Sequence, residues 1–303
     1  MKKLALISYQ GNIYTHMGDY LKAKEIYHEC LQQYEALSDK GNYAITLTKL
    51  ANVADLQGNI SESLNLLKEA RNVSNATGNK LTLAMIDLSL SSVYYKAREW
   101  ASGLAAAQSA QVLAYELHKP QIETMALLNI ILFHTELRNW QKADILAHDL
   151  EQRLDTSGDL VKLSQLKNTR GIAAYHQGHY LEAEKAWQET LKINSQINQT
   201  SELANSYNNL GMVYTKLNEL NTASSMLLNA ARIYKDNGDI FNWANALDNL
   251  AEVYERQGNK IMARDVLCMA LLELTETDNK PYSEGLLTII KERIEALTLS
   301  NFR

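Results

Sequence analysis

Residues 209–230, NLGMVYTKLNELNTASSMLLNA, decide the fold. Apolar residues recur at three- and four-residue steps on both sides of the polar break Asn218-Glu219, which is the spacing of two amphipathic helices joined by a tight turn. Gly211 and Ala223 are small, one on each side of the break, and Tyr214 and Leu227 are the large residues beside them.

The same arrangement returns every forty residues. Gly211 aligns with Gly11, Ala51, Ser91, Gly171 and Ala251, with Ile131 as the one large residue of the column. Three positions later stand Tyr14, Ala54, Tyr94, His134, Ala174, Tyr214 and Tyr254. Twelve positions later stand Ala23, Ser63, Gly103, Ala143, Ala183, Ala223 and Ala263, all of them small. Each copy has its own break, such as Gly18-Asp19, Gly58-Asn59 or Gly178-His179, and Gly and Asn tolerate the left-handed conformation that ends a helix. Antiparallel helices approach closely only where crossing side chains are short. One such hairpin cannot bury both its faces, so its neighbours must cover them.

These residues resemble the tetratricopeptide repeat family, whose signature runs small, aromatic, Gly turn, Ala, aromatic, Ala. The clearest copies are Gly11-Tyr14-Gly18-Tyr20-Ala23-Tyr27, Gly171-Gly178-Tyr180-Ala183-Trp187 and Gly211-Tyr214-Ala223-Leu227-Ala230. The usual unit is about 34 residues; the longer unit here is similar to that of kinesin light chains, spindle-orientation adaptors and the sensor arm of the bacterial maltose-regulon activator. The resemblance implies an all-α fold, a right-handed α/α superhelix, or solenoid, of seven helix-turn-helix repeats with a C-terminal capping helix. The expectation is a single solenoid over 1–303, with repeats near 4–40, 44–80, 84–120, 124–160, 164–200, 204–240 and 244–280 and a cap over 283–298.

Composition agrees with helix throughout: 46% of the 303 residues are hydrophobic and there are only two prolines. Pro120 and Pro281 are expected between repeats, as are the glycines Gly41, Gly78, Gly158 and Gly238. A net charge of −5 with no basic stripe argues against a nucleic-acid partner. The two cysteines, Cys30 and Cys268, lie far apart in an extended array, and no stretch approaches the roughly 20 apolar residues of a membrane span. A cytoplasmic protein without membrane contact is the expectation.

No catalytic residue, cofactor or metal is expected. Gly78-Asn79-Lys80 and Gly258-Asn259-Lys260 lack the glycine spacing and hydroxyl of a phosphate loop. His176 and His179 flank the turn glycine Gly178 with no third ligand at regular spacing, and His134 reads as a core ring with a hydrogen bond.

In the family the first helices line a concave inner wall, and the resemblance carries that role to two groups of residues here. Asn168, Tyr175, Asn205, Asn208, Asn209, Met212, Asn245 and Asn249 form one group. Their amides both donate and accept, so they either pair with the backbone of an extended peptide or bridge adjacent repeats. Met85, Leu88, Met125, Leu128 and Leu132 form an apolar patch that is either an interaction surface or buried within the superhelix. Asn12 and Lys49 offer part of a clamp for a C-terminal carboxylate, but Ser8, Met85 and Ser89 stand where further charges are needed. Arg170 interrupts a column held by Leu50, Leu90, Ile130, Leu210 and Leu250, and either snorkels to solvent or meets an acid of the preceding repeat.

At the C-terminal end, Lys291, Glu292, Arg293 and Glu295 oppose Leu286, Leu287, Ile289, Ile290, Ile294 and Leu297, the pattern of a solvating cap. The N-terminal end, with Leu4, Leu6, Ile7 and Ile13, has no such cover and points to an upstream domain or a docking surface. The expected function is therefore a protein-interaction scaffold gripping a peptide or helix of an unidentified partner protein. The alternative is a ligand-sensing arm of a larger signal-transducing ATPase or transcription activator.

Overall fold

A computed structural model describes residues 2–276 and 280–299, and among them the only regular structure is helix. The helices pair as α1 (Lys2–His16) with α2 (Tyr20–Ala36), α3 (Lys40–Leu56) with α4 (Ile60–Thr77), and α5 (Lys80–Lys96) with α6 (Trp100–Glu116). They continue with α7 (Pro120–Glu136) and α8 (Trp140–Ser157), then α9 (Leu160–His176) and α10 (Tyr180–Gln196). α11 (Thr200–Lys216) and α12 (Leu220–Asp236), α13 (Ile240–Arg256) and α14 (Lys260–Glu276), and a final α15 (Lys280–Leu299) complete the order. The chain divides into two compact units, residues 1–146 and 147–303.

One turn is used throughout. A left-handed residue stands at every twentieth position from Gly18 to Gly258, with φ between 52° and 79°. Glycine fills seven of these places and Ser38, Arg98, His118, Arg138, Asn198 and Asn218 the other six. The next residue opens the following helix, and Asp19, Asp39, Asn79, Asp159 and Asp239 there each accept a hydrogen bond from a backbone N–H of the first turn. The connections between repeats are thus the same as the breaks within them. Gly41, expected in such a connection, lies instead inside the first turn of α3, and Ser38 takes the left-handed place. Both prolines open helices: Pro120 is the first residue of α7 and Pro281 the second of α15, positions whose N–H has no partner to lose.

The small columns are where large side chains of facing helices press in. In unit 1, a Cβ on Gly11 would stand 2.5 Å from the ring of Tyr27, and one on Gly103 would meet the ring of Phe133. In unit 2, Gly171 lies under Trp187 and Gly211 under Leu227, each at 2.5 Å from an imagined Cβ. Tyr27, Trp187 and Leu227 are in consequence fully buried. Unit 1 keeps its core along Leu47, Leu50, Leu67, Ile86 and Leu90; unit 2 keeps its own along Trp187, Leu210, Leu227, Leu250 and Leu267.

The cap closes unit 2. Ile290 and Leu297 of α15 are buried in its core, with Leu286, Leu287 and Ile294 packed partly against it, whereas Ile289, expected on that face, is about half exposed. Arg293 reaches back to α13, where it donates to the carboxylates of Asp248 and Glu255 and, at 2.9 Å, to the backbone carbonyl of Asp248. At the other end, Leu4 is buried against Cys30 and Tyr34, while Leu6 and Ile13 are exposed.

Candidate functional site

In unit 2 the first helices α9, α11 and α13 carry the asparagines, and the amides couple one helix to the next. Asn209 Nδ2 donates to Asn168 Oδ1 at 3.0 Å and Asn249 Nδ2 to Asn208 Oδ1 at 3.1 Å, each pair 41 residues apart. Asn168 Oδ1 also accepts from Trp187 Nε1 at 3.0 Å, and Asn205 accepts from the Tyr234 hydroxyl at 2.6 Å while donating to Glu202. Asn208 is buried, with its amide nitrogen 3.7 Å from Met212 Sδ. Asn245 is half-buried and makes no hydrogen bond among the described residues. Tyr175 packs edge-on against Tyr180 and tilted against Trp187, and burial, with the charge of Glu252 nearby, pushes its hydroxyl up to about 12.

These bonds leave part of each amide uncommitted. Asn209 and Asn249 each spend an N–H on the preceding first helix and keep their carbonyl oxygens; Asn168 keeps its NH₂. Farther along the same wall, Lys216 pairs with Glu252, which also holds Arg256, and Arg256 donates to the backbone carbonyl of Thr215.

Unit 1 separates its apolar patch. Met85 and Met125 are exposed, Leu88 and Leu132 are half-buried, and Leu128 is buried. In the same unit a pocket of about 610 Å³ opens among α1, α3 and α5, with Tyr27 and Leu67 of the second helices at its base. Lys49 on its wall donates to Ser8 Oγ at 2.9 Å, and Asn12 accepts from the Tyr27 hydroxyl at 2.8 Å.

Residues 4–76 and 163–236 match the tetratricopeptide repeat family. Both stretches, one in each unit, are tetratricopeptide repeats. Among solved structures, a tetratricopeptide repeat protein from Parabacteroides merdae aligns at a TM-score of 0.64 and 18% identity, covering 98% of this chain and 100% of that one. A Rap protein complexed with competence and sporulation factor aligns at 0.63 and 12%, covering 98% and 100%. A signal-transduction ATPase with a tetratricopeptide repeat sensor from Pyrococcus horikoshii aligns at 0.58 and 15%, over 99% of this chain but 47% of that one. At these identities the likeness is one of fold. Among curated proteins, none matches the sequence.

Within the tetratricopeptide repeat frame the histidines take unremarkable places. His134 is buried at the Tyr column, 3.4 Å from the amide of Asn139, and burial lowers its pKa. His176 ends α9, and His179 opens α10 beside Glu182. Arg170 meets Glu151 of the preceding repeat, which Lys167 also holds, so the acid and not the solvent takes the guanidinium.

The sequence does not single out Asp87, and it offers Lys49 only as part of a carboxylate clamp. Asp87 is fully buried and is held by Arg71 Nε and Ser109 Oγ, both at 2.5 Å. Lys49 is half-buried with no carboxylate partner among the described residues. Neither has a local signal, because their partners lie one helix or one repeat away.

Proposed function

We propose that this chain is an interaction scaffold, and that the first-helix wall of unit 2 holds an extended segment of a partner protein. The observation that carries this reading is the coupled amide row. Asn168, Asn209 and Asn249 are held in place by hydrogen bonds between adjacent helices and still keep donors or acceptors of their own. Side chains fixed before binding lose little freedom on it, so their bonds to a peptide backbone count toward affinity. Asn245, whose amide is unbonded among the described residues, Met212 and Tyr175 extend the same wall. Side-chain amides read backbone and not sequence, so the partner is recognised mainly by its extended shape.

The test begins with affinity capture, mapping of the bound segment, and calorimetric titration of that peptide. Asn245→Ala and Asn249→Ala should each weaken it by about 1 kcal/mol, roughly fivefold, with helicity unchanged. Unaltered affinity in both variants would remove the amides from the binding role.

A second reading treats the array as the sensor arm of a larger switch. It is supported by the alignment of almost the whole chain with less than half of the Pyrococcus horikoshii ATPase, whose sensor is built of the same repeat. A nucleotide-binding domain encoded in the same reading frame or beside it would favour this reading. A free-standing monomer that captures the peptide alone would favour the first.

A further inference from the structure

We infer that the pocket among α1, α3 and α5 of unit 1 is a binding site for a small hydroxylated organic anion, with Lys49 as its countercharge. Its volume of about 610 Å³ lies within the range of roughly 300–1,000 Å³ found for small-molecule sites. This site is separate from the amide wall of unit 2, and neither assignment depends on the other.

The charge comes first. Lys24, Lys80, Lys96, Lys167, Lys216 and Lys235 each contact a carboxylate. Among the described residues Lys49 has only the Ser8 hydroxyl, and burial lowers its pKa, opposed by Cys30 and by no carboxylate. Asp55, on the same pocket wall, is already engaged by Lys96 at 2.7 Å. A partly buried ammonium without a counter-ion is unfavourable, and an oxyanion arriving from solvent relieves it.

The hydrogen-bonding inventory gives the body of the ligand. Asn12 has its amide oxygen occupied by Tyr27 and its NH₂ uncommitted, and exposed Asn52 makes no bond among the described residues. These donors stand with Lys49 and suit a carboxylate or phosphate. Thr48, Ser89 and Ser92 donate to carbonyls of their own helices, so their oxygens are left as acceptors and call for hydroxyl donors on the ligand.

The floor points the same way. Ser63 Oγ is fully buried, lines the pocket and has no hydrogen-bond partner among the described residues, a rare condition for a buried hydroxyl. Tyr27, Leu67 and Val93 supply carbon surface for a short skeleton.

The experiment is calorimetric titration of the whole chain with gluconate, a carboxylate on a hydroxylated chain, with glucose 6-phosphate, its phosphate counterpart, and with glucose as the neutral control. At least one anion should bind saturably and ten or more times tighter than glucose, and which of the two does so identifies the group. Lys49→Gln should weaken that binding at least tenfold, and Asn52→Ala, at an exposed position where the fold is not at stake, several-fold, with far-ultraviolet circular dichroism unchanged. Binding of neither anion, binding no tighter than glucose, or equal affinity in Lys49→Gln and Asn52→Ala would overturn the assignment. So would a peptide with a free C-terminal carboxylate that binds through Lys49 when neither sugar anion does.

Discussion

Gly171 lacks a side chain because Trp187 occupies the place where one would stand, with its ring nitrogen 2.5 Å from an imagined Cβ. Alanine is better than glycine inside a helix by about 1 kcal/mol, so Gly285→Ala, where nothing lies within 4 Å, should stabilise by up to that amount. Gly171→Ala should instead displace a ring that also donates to Asn168, at a net cost of about 1 to 3 kcal/mol in urea unfolding. A gain at both sites would contradict the packing.

The ion cluster around Glu151 gives a pH test. Burial alone would raise its carboxyl, but Lys167 and Arg170 outweigh burial and hold it below its ordinary value of 4.5. Burial would lower Lys167, but Glu151 and Glu189 raise it above 10.5. A depressed acid stabilises above its ordinary pKa and loses that as pH falls through the folded value; a raised base stabilises below its ordinary pKa and loses that as pH rises through the folded value. The drop in melting temperature caused by Glu151→Gln should therefore be largest between about pH 5 and 10 and should shrink on either side. A difference that is flat from pH 3 to 11 would place the effect outside these charges. At this scale the small columns were legible, since crossing geometry repeats in the sequence. The lack of a carboxylate beside Lys49 among the described residues was not, because it depends on which helices surround the lysine; of the two roles open to Asn209, its bond to Asn168 supplies the bridge and leaves its carbonyl oxygen for the other.

At the scale of the element, every helix from α1 to α13 ends on the same left-handed turn. Sequence reading found the glycine breaks but placed Gly41 wrongly, because it looked for a residue type, whereas Ser38, His118 and Asn198 fill the same conformation without glycine. The cap was foreseen over 283–298 and observed over Lys280–Leu299, since its amphipathic pattern is local. Its anchor was not foreseen: Arg293 holds Asp248, whose carboxyl is raised by burial despite that partner. Arg293→Ala leaves Asp248 and a carbonyl of α13 short of a donor and should cost about 1 to 3 kcal/mol. Hydrogen exchange should then accelerate first in α14 and α15. A uniform rise across the chain would mean that the arginine does not pin the cap.

For the molecule as a whole, the hydrogen bonds between neighbouring repeats span about one unit of sequence, as in Lys49 to Ser8, Asn209 to Asn168 and Asn249 to Asn208, each 41 residues apart. Stability in such an array is a sum over units and their nearest neighbours. Removing residues 199–238 joins Asn198, already left-handed, to Asp239, already an N-cap, and restores the frame. The shortened chain should keep its helical content per residue and unfold at a lower denaturant concentration. Collapse to an unfolded or aggregated state would mean that the hairpins are not interchangeable parts.

The turn glycines Gly158 and Gly178 have nothing within 4 Å of where a side chain would begin. They bracket α9, whose 17 residues set them about 26 Å apart at 1.5 Å per residue. Dyes or short tags grafted onto these corners would act as a built-in ruler, reporting motion of the scaffold without entering its core.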